Sequence, residues 1–402
     1  MTDDCVIRTH AGLLGEGLHD PGPPPAGLRR SPVAVDGLHT EHLIINMGPQ
    51  HPSTHGVLRL IIEVDGEEVL TVEASVGYLH RGIEKLAEHR RYNALGTLMD
   101  RGDYVSGMHG ELAVALATEQ LMEVEVPRKA HWIRSLASEL NRLASHLVWY
   151  GTFGLDTGGM GQFLYSMRDR EAILDILEAI SGQRMMFNYV RPGGVVADLP
   201  AGIEAKTRSF LDGFESTYLR EHHELLGGNE IFQDRVKGIG TITRAQALAF
   251  GLTGPNLRAS GVSYDVRKDR PYAAYPELAF DVPTGERGDA WDRYTVRMGE
   301  MREAARMCRQ LIDGMPEGDH TAMVPRLLKP RAGEVYAAVE SSRGETGIHL
   351  LSDGGETPYR MHYRSPSLFA LQALEEILPG HLLADTVMIV GSTDVMMGEI
   401  DR

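Results

Sequence analysis

Cysteine is almost missing from this chain of 402 residues: there are two, Cys5 and Cys308, and neither belongs to a Cys-x-x-Cys pair. A disulfide framework is therefore not on offer. An iron–sulfur cluster of the chain's own would need several thiolates and is excluded with it. Also missing is any apolar run near the ~20 residues that span a bilayer, so a link to a membrane has to come through other proteins. Basic residues are outnumbered, with 40 Lys+Arg against 56 Asp+Glu and a formal net charge of −16, which argues against nucleic acid as the main partner. Neither a P-loop nor a Gly-x-Gly-x-x-Gly between a strand and a helix occurs, so no nucleotide site is expected in this chain. The acidic start Met1-Thr2-Asp3-Asp4 is followed by no apolar h-region, which is unlike a secretory or mitochondrial signal. Two isolated thiols suit a reducing, cytoplasmic setting.

What is present is an ordinary globular composition, 42% hydrophobic and 24% charged, with enough length for two or three lobes. Residues 1–39 include Asp20-Pro21-Gly22-Pro23-Pro24-Pro25-Ala26-Gly27, have no apolar period, and read as a disordered extension. Over 40–80 the alternation of Leu58, Leu60, Ile62 and Val64 with Arg59, Ile61 and Glu63 predicts a strand, and Asp65-Gly66 a tight turn into the next. Helix dominates 81–330. Ile133, Leu136, Leu140, Leu143 and Leu147 form one stripe, and others cover 83–100, 105–122, 161–181, 203–226 and 288–313. Strand character returns in 331–402 at 334–340 and 347–354, before a helix at 367–378. The expected fold class is α+β, a central bundle of long helices flanked by small antiparallel sheets at its two ends.

Four segments could carry chemistry. His51-Pro52-Ser53-Thr54-His55-Gly56 places two imidazoles in a turn bounded by glycine and proline, joining two strands. A shared metal would suit two histidines four apart on a helix, but Pro52 and Gly56 disfavour that helix. Capping the turn, binding a ligand or moving a proton all remain open for them. His80-Arg81-Gly82-Ile83-Glu84-Lys85 starts a helix on which Arg81 and Glu84 could pair. Met99-Asp100-Arg101-Gly102-Asp103-Tyr104 is a charged break whose phenol is either a core group with a bonded tip or a donor to a ligand. In Phe153-Gly154-Leu155-Asp156-Thr157-Gly158 the acid either caps the next helix or orients a histidine. His222-His223-Glu224 reads as a solvated helix face.

In this order, the 48–56 turn, His80–Lys85, Asp103-Tyr104-Val105-Ser106, Leu155-Asp156, Arg191-Pro192-Gly193-Gly194-Val195, Gly261–Lys268, Arg287-Gly288-Asp289 and Gly398-Glu399-Ile400-Asp401-Arg402 resemble the 49-kDa subunit family of NADH:quinone oxidoreductase, respiratory complex I. That family is similar to the large subunit of nickel–iron hydrogenases, whose metal-binding cysteines have no counterpart near Tyr104 or Met396-Met397. The resemblance implies a vacated metal pocket that now takes quinone. It places the quinone-headgroup residues on His55 and Tyr104, the acid that partners the histidine on Asp156, and a position close to a neighbouring iron–sulfur cluster on Arg81. It implies no cofactor or metal in this chain, with iron–sulfur clusters, FMN and NAD binding in partner subunits. The implied partners are the subunit carrying the terminal cluster and the membrane subunit at the quinone entrance. The implied location is the cell membrane, peripheral, on the cytoplasmic side. A non-catalytic scaffold subunit of a related membrane-bound oxidoreductase is the alternative.

Overall fold

The computed structural model describes residues 42–49 and 56–402. The proline-rich stretch 1–39 and the histidines His51 and His55 lie outside the described residues. Three strands, β1 (Leu43–Met47), β2 (Arg59–Asp65) and β3 (Glu68–Ser75), form an antiparallel sheet in that order. Leu60, Ile62 and Val64 are fully buried while their neighbours are partly exposed, the alternation a half-covered strand requires. Met47 faces Leu60 across the sheet, so the connection that carries the two histidines leaves β1 and enters β2 at one end of this pair.

Four long helices make the bundle: α1 (Gly107–Met122), α2 (Arg128–Asp156), α3 (Met160–Ser181) and α4 (Ala290–Asp313). Between α3 and α4 stand a two-residue ladder, β4 (Val190–Arg191) with β5 (Gly194–Val195), and several short helices. The apolar stripe Ile133, Leu136, Leu140, Leu143 and Leu147 of α2 is buried. Arg134, Glu139 and Arg142, on its other faces, are buried as well, because each is matched by an opposite charge. A second antiparallel sheet, β6 (Gly333–Glu340), β7 (Glu345–Ser352) and β8 (Arg360–Arg364), packs on α1. Three helices close the chain: α5 (Pro366–Ile377), α6 (Leu383–Thr393) and α7 (Met397–Asp401).

The helical bundle with small antiparallel sheets is the expected α+β class, but its two ends are not separate flanks. Leu58, Leu60, Ile62, Val64 and Val69 share one core with Leu371, Leu374, Ile389 and Ile400. Backbone bonds from Val69 N–H to the His381 carbonyl (2.9 Å) and from Leu383 N–H to the Glu67 carbonyl (2.8 Å) stitch the N-terminal sheet to the chain's last helices. The C-terminal residues therefore pack against the N-terminal sheet.

Two expected elements need correction. The stripe over 83–100 is broken into Ile83–Ala87, a short turn at Tyr92–Ala94 and Gly96–Met99. His222 is not on a solvated face: it is fully buried, its Nε2 lies 2.8 Å from the Asp169 carboxylate, and its carbonyl accepts the Tyr150 hydroxyl at 2.8 Å. Buried Asp169, on the neighbouring helix α3, supplies the partner that makes this burial possible. Among the described residues no helix is long and apolar enough to cross a membrane.

Candidate functional site

Tyr104 stands in the break between the one-turn helix Gly96–Met99 and α1. The break folds back tightly on the helix that follows: a Cβ on Gly110 would come within 2.8 Å of the Met99 carbonyl, so only glycine lets the two pass. The Tyr104 ring lies against Gly398, the second residue of α7. A Cβ there would sit 3.3 Å from ring atoms Cδ1 and Cε1 and would collide with the Gly102 carbonyl. On the neighbouring residue, Met397, Cγ lies 4.0 Å from where a Cβ of Gly56 would be, so the end of the histidine turn arrives at the same pair of residues. The last described residue of the turn and the phenol thus meet on Met397-Gly398. His55 itself lies outside the described residues.

Arg81 ties this junction together. Its Nη2 donates to the Arg101 carbonyl at 2.6 Å and to the Gly398 carbonyl at 3.0 Å, linking the Tyr104 segment to α7. The expected pairing of Arg81 with Glu84 does not form among the described ion pairs. Glu84 turns to Arg360 (2.7 Å), His362 (3.0 Å) and Arg402 (3.7 Å), which approach from β8 and the C-terminus. The C-terminal segment is itself anchored, because the Asp401 carboxylate accepts the N–H groups of Gly77 (2.8 Å) and Leu79 (2.7 Å).

Asp156 is the last residue of α2 and does not cap the next helix, whose N-cap is Gly159. Its Oδ2 instead faces α6, at 2.6 Å from where a Cβ of Gly391 would stand. Of the four residues singled out from the sequence, the structure joins Tyr104 and Arg81 through Gly398 and sets Asp156 against the helix leading to that point. The contact expected between Asp156 and His55 lies outside the described residues.

Behind Tyr104 runs a set of buried charges that sequence reasoning missed. Asp103 is paired with Arg343 at 2.6 Å, and Arg343 reaches the Asp394 carboxylate at 3.1 Å and its carbonyl at 3.0 Å. All three are at most 5% exposed. Burial raises the pKa of the Tyr104 phenol, and Asp103 adds to this, while the positive charges of Arg343 and Arg81 oppose it. The net direction is upward, so the phenol holds its proton and serves as a donor. Arg343 sits in the turn between β6 and β7 and Asp394 just after α6, at positions that no local spacing connects. The one available signal is the Asp103-Tyr104-Val105-Ser106 motif, which names Asp103 but not its partners.

The largest of the described cavities, about 880 Å³, is elsewhere, between the C-terminal end of α1 and β6, and includes none of these groups. A cavity of about 240 Å³ is lined by His80, Gly82, Glu84, Lys85, Arg360, Asp401 and Arg402, without Arg81. Neither cavity is lined by Tyr104 or Gly398.

Comparison with known proteins gives consistent matches. The family model described as respiratory-chain NADH dehydrogenase, 49 Kd subunit, matches residues 156–332 and 319–402. The D subunit of the NADH-quinone oxidoreductase of Bacillus cytotoxicus is 45% identical over 365 residues, 90% of this chain and 100% of the relative. The protein of the same name from Clostridium beijerinckii is 46% identical over 365 residues, 91% of this chain and 98% of the relative. Among solved structures, a chain of the membrane-bound sulfane sulfur reductase, an archaeal respiratory membrane complex, superposes with a TM-score of 0.87 at 35% identity, covering 91% of this chain and all of that one.

Proposed function

Because the chain belongs to the 49 Kd subunit family of respiratory-chain NADH dehydrogenase, we propose that it forms the quinone-reducing cavity of a proton-translocating NADH:quinone oxidoreductase. Tyr104 donates a hydrogen bond to one carbonyl oxygen of the headgroup and His55 to the other, with Asp156 holding the imidazole in its donating tautomer. Reduction to quinol takes two electrons and two protons, and negative charge builds on the two oxygens as the electrons arrive. Donors fixed beforehand in a water-poor cleft stabilise that charge most. The electrons come from an iron–sulfur cluster of the neighbouring subunit, on the side of Arg81. NADH and FMN belong to other subunits of the peripheral arm. A membrane subunit supplies the quinone entrance, and the chain sits peripherally on the cytoplasmic side of the membrane.

The observation that carries this reading is the meeting of the turn's end at Gly56 and the Tyr104 ring on Met397-Gly398. The experiment is Tyr104→Phe in the assembled complex. Loss of one donor aimed at a developing oxyanion lowers turnover by roughly 100-fold, with assembly intact. Unchanged quinone reduction in the assembled variant would favour the scaffold role.

A further inference from the structure

We propose that the outer edge of β6 takes up an extended, basic segment of a neighbouring subunit, which joins the sheet as a fourth strand. This goes beyond the quinone reading and does not depend on it. It draws only on the chain's membership of a family of respiratory-complex subunits.

The sheet order β6-β7-β8 leaves β6 with a partner on one side only. In an antiparallel pair, alternate residues turn N–H and C=O toward the partner strand, and the residues between them turn both away. The turn after β6 fixes which are which. Ser341 N–H donates to the Gly344 carbonyl at 2.7 Å, and Gly344 N–H to the Ser341 carbonyl at 3.3 Å. The odd-numbered residues of β6 therefore face β7. Even-numbered Glu340 agrees: its N–H donates to the Tyr272 hydroxyl at 3.0 Å and its carbonyl accepts Arg142 Nη2 at 2.6 Å, neither partner lying on β7. The register with β7 is unbroken, so Ala338 and Tyr336 turn their N–H and C=O to the same outer side. No hydrogen bond among the described residues engages those four groups. On the far edge of the sheet the outward groups of Tyr363 are covered, the N–H by Glu84 (2.9 Å) and the carbonyl by Arg402. Bare edges are commonly guarded by Lys, Pro or a bulge. β6 has none of these.

The uncovered stretch borders the cavity of about 880 Å³, where Tyr336, Ala337 and Ala338 form one wall. The non-helical link Glu123-Val124-Glu125-Val126, between α1 and α2, also lines it. A strand advances about 3.3 Å per residue, so a segment of about five residues runs alongside Glu334 to Ala338. The lining carries Glu119, Glu123 and Glu125 against Arg270. Glu119 pairs with Arg134, Glu123 with Arg331 (2.7 Å) and Arg270 with Glu345 (2.7 Å). Glu125 is exposed and makes no ion pair among the described residues. His131, at the start of α2, faces the same space, and its Nδ1 is buried without a hydrogen-bond partner among the described residues. An extended segment with Lys or Arg beside Glu125 answers the charge, and a polar group on it answers His131. In strand addition the backbone bonds supply affinity, and such side-chain matches select the partner.

The test uses the assembled complex, with a photo-reactive benzophenone amino acid in place of Gln120, an exposed residue on the cavity's rim. The expected product is a cross-link to one stretch of a neighbouring subunit that contains Lys or Arg. In the same complex the Tyr336 and Ala338 amides are expected to resist hydrogen exchange as the ladder amides of Ala337 and Val339 do. Ala338→Pro removes one outward donor and leaves the bonds to β7, so the Tyr336 amide should exchange roughly tenfold faster. Should Ala338→Pro fail to assemble, Glu125→Lys, at an exposed position, carries the test: exchange at Tyr336 and Ala338 quickens, while Glu125→Asp keeps the wild-type rate. Cross-links confined to this chain or to a second copy of it, no cross-link, or a linked segment without Lys or Arg overturn the proposal. So do Tyr336 and Ala338 amides that exchange like open backbone, or protection that neither Ala338→Pro nor Glu125→Lys changes. Tyr104→Phe leaves all these readouts as they are, so failure here and failure of the quinone reading are told apart.

Discussion

Gly398→Ala is the substitution that asks most of the site's geometry. The added methyl would lie 3.3 Å from two carbons of the Tyr104 ring and would overlap the Gly102 carbonyl. Carbon pairs settle at about 3.5–4.0 Å, so the ring has to retreat by a few tenths of an ångström and the carbonyl by more. The Gly398 carbonyl that Arg81 holds at 3.0 Å moves with it. The phenol must reach a headgroup oxygen within hydrogen-bond range, and a misplacement of about 1 Å can cost about 10²-fold in rate. The expected result is a loss of roughly 10- to 100-fold in quinone reductase activity, carried by kcat, in a complex that assembles and retains its clusters. The assay is NADH:quinone turnover in membranes, beside NADH oxidation with an artificial acceptor that bypasses this chain. Gly161→Ala is the control: nothing stands within 4 Å of the new methyl, and α3 gains helix propensity. Full quinone turnover in Gly398→Ala, equal to the control, would show that Tyr104 is not held by α7 for catalysis.

Further outcomes follow from the buried charges. Arg343→Leu strands Asp103 and Asp394 in the core without a cation, a change that costs about 3–5 kcal/mol, so the assembled complex should melt earlier or fail to form; an unchanged melting temperature would refute the ion-pair assignment. Glu139 accepts from Arg142 (3.0 Å), Arg267 (3.2 Å) and the Tyr275 hydroxyl (2.7 Å). Burial alone would raise its pKa, but the two guanidinium groups outweigh it and hold the carboxyl at about 2. A depressed carboxylate stabilises the fold above its unfolded pKa near 4.5 and loses that contribution as pH falls through about 2. The contribution is ~3 kcal/mol. Thermal melts from pH 6 downward should therefore show a steep acid limb that Glu139→Gln makes shallower; parallel curves would remove Glu139 from the explanation.

How much of this is legible in the sequence depends on the length scale of each cause. β2 and the stripe on α2 are readable because alternation and the 3.6-residue period are local. Tyr104, Arg81 and Asp156 stand out through motifs in the right order, and the structure brings the first two together. The pairing of Arg81 with Glu84 fails because three partners from β8 and the C-terminus outcompete a neighbour three residues away. His222 reads wrongly because polarity in sequence does not show that Asp169, 53 positions earlier, is waiting inside the fold. The Asp103–Arg343–Asp394 cluster is not legible at all. Arg343 is 240 positions from Asp103 and 51 from Asp394, and only the packing of the β6–β7 sheet on α1, with the end of α6 beside it, joins them.

The most direct test of the quinone site is a structure of the assembled complex with a quinone bound. The headgroup is expected between Tyr104 and His55, one carbonyl oxygen within hydrogen-bond reach of the phenol and the other of the imidazole, with Met397-Gly398 forming the wall beside it. A headgroup bound away from Tyr104, or a phenol and imidazole that open into different spaces, would contradict it.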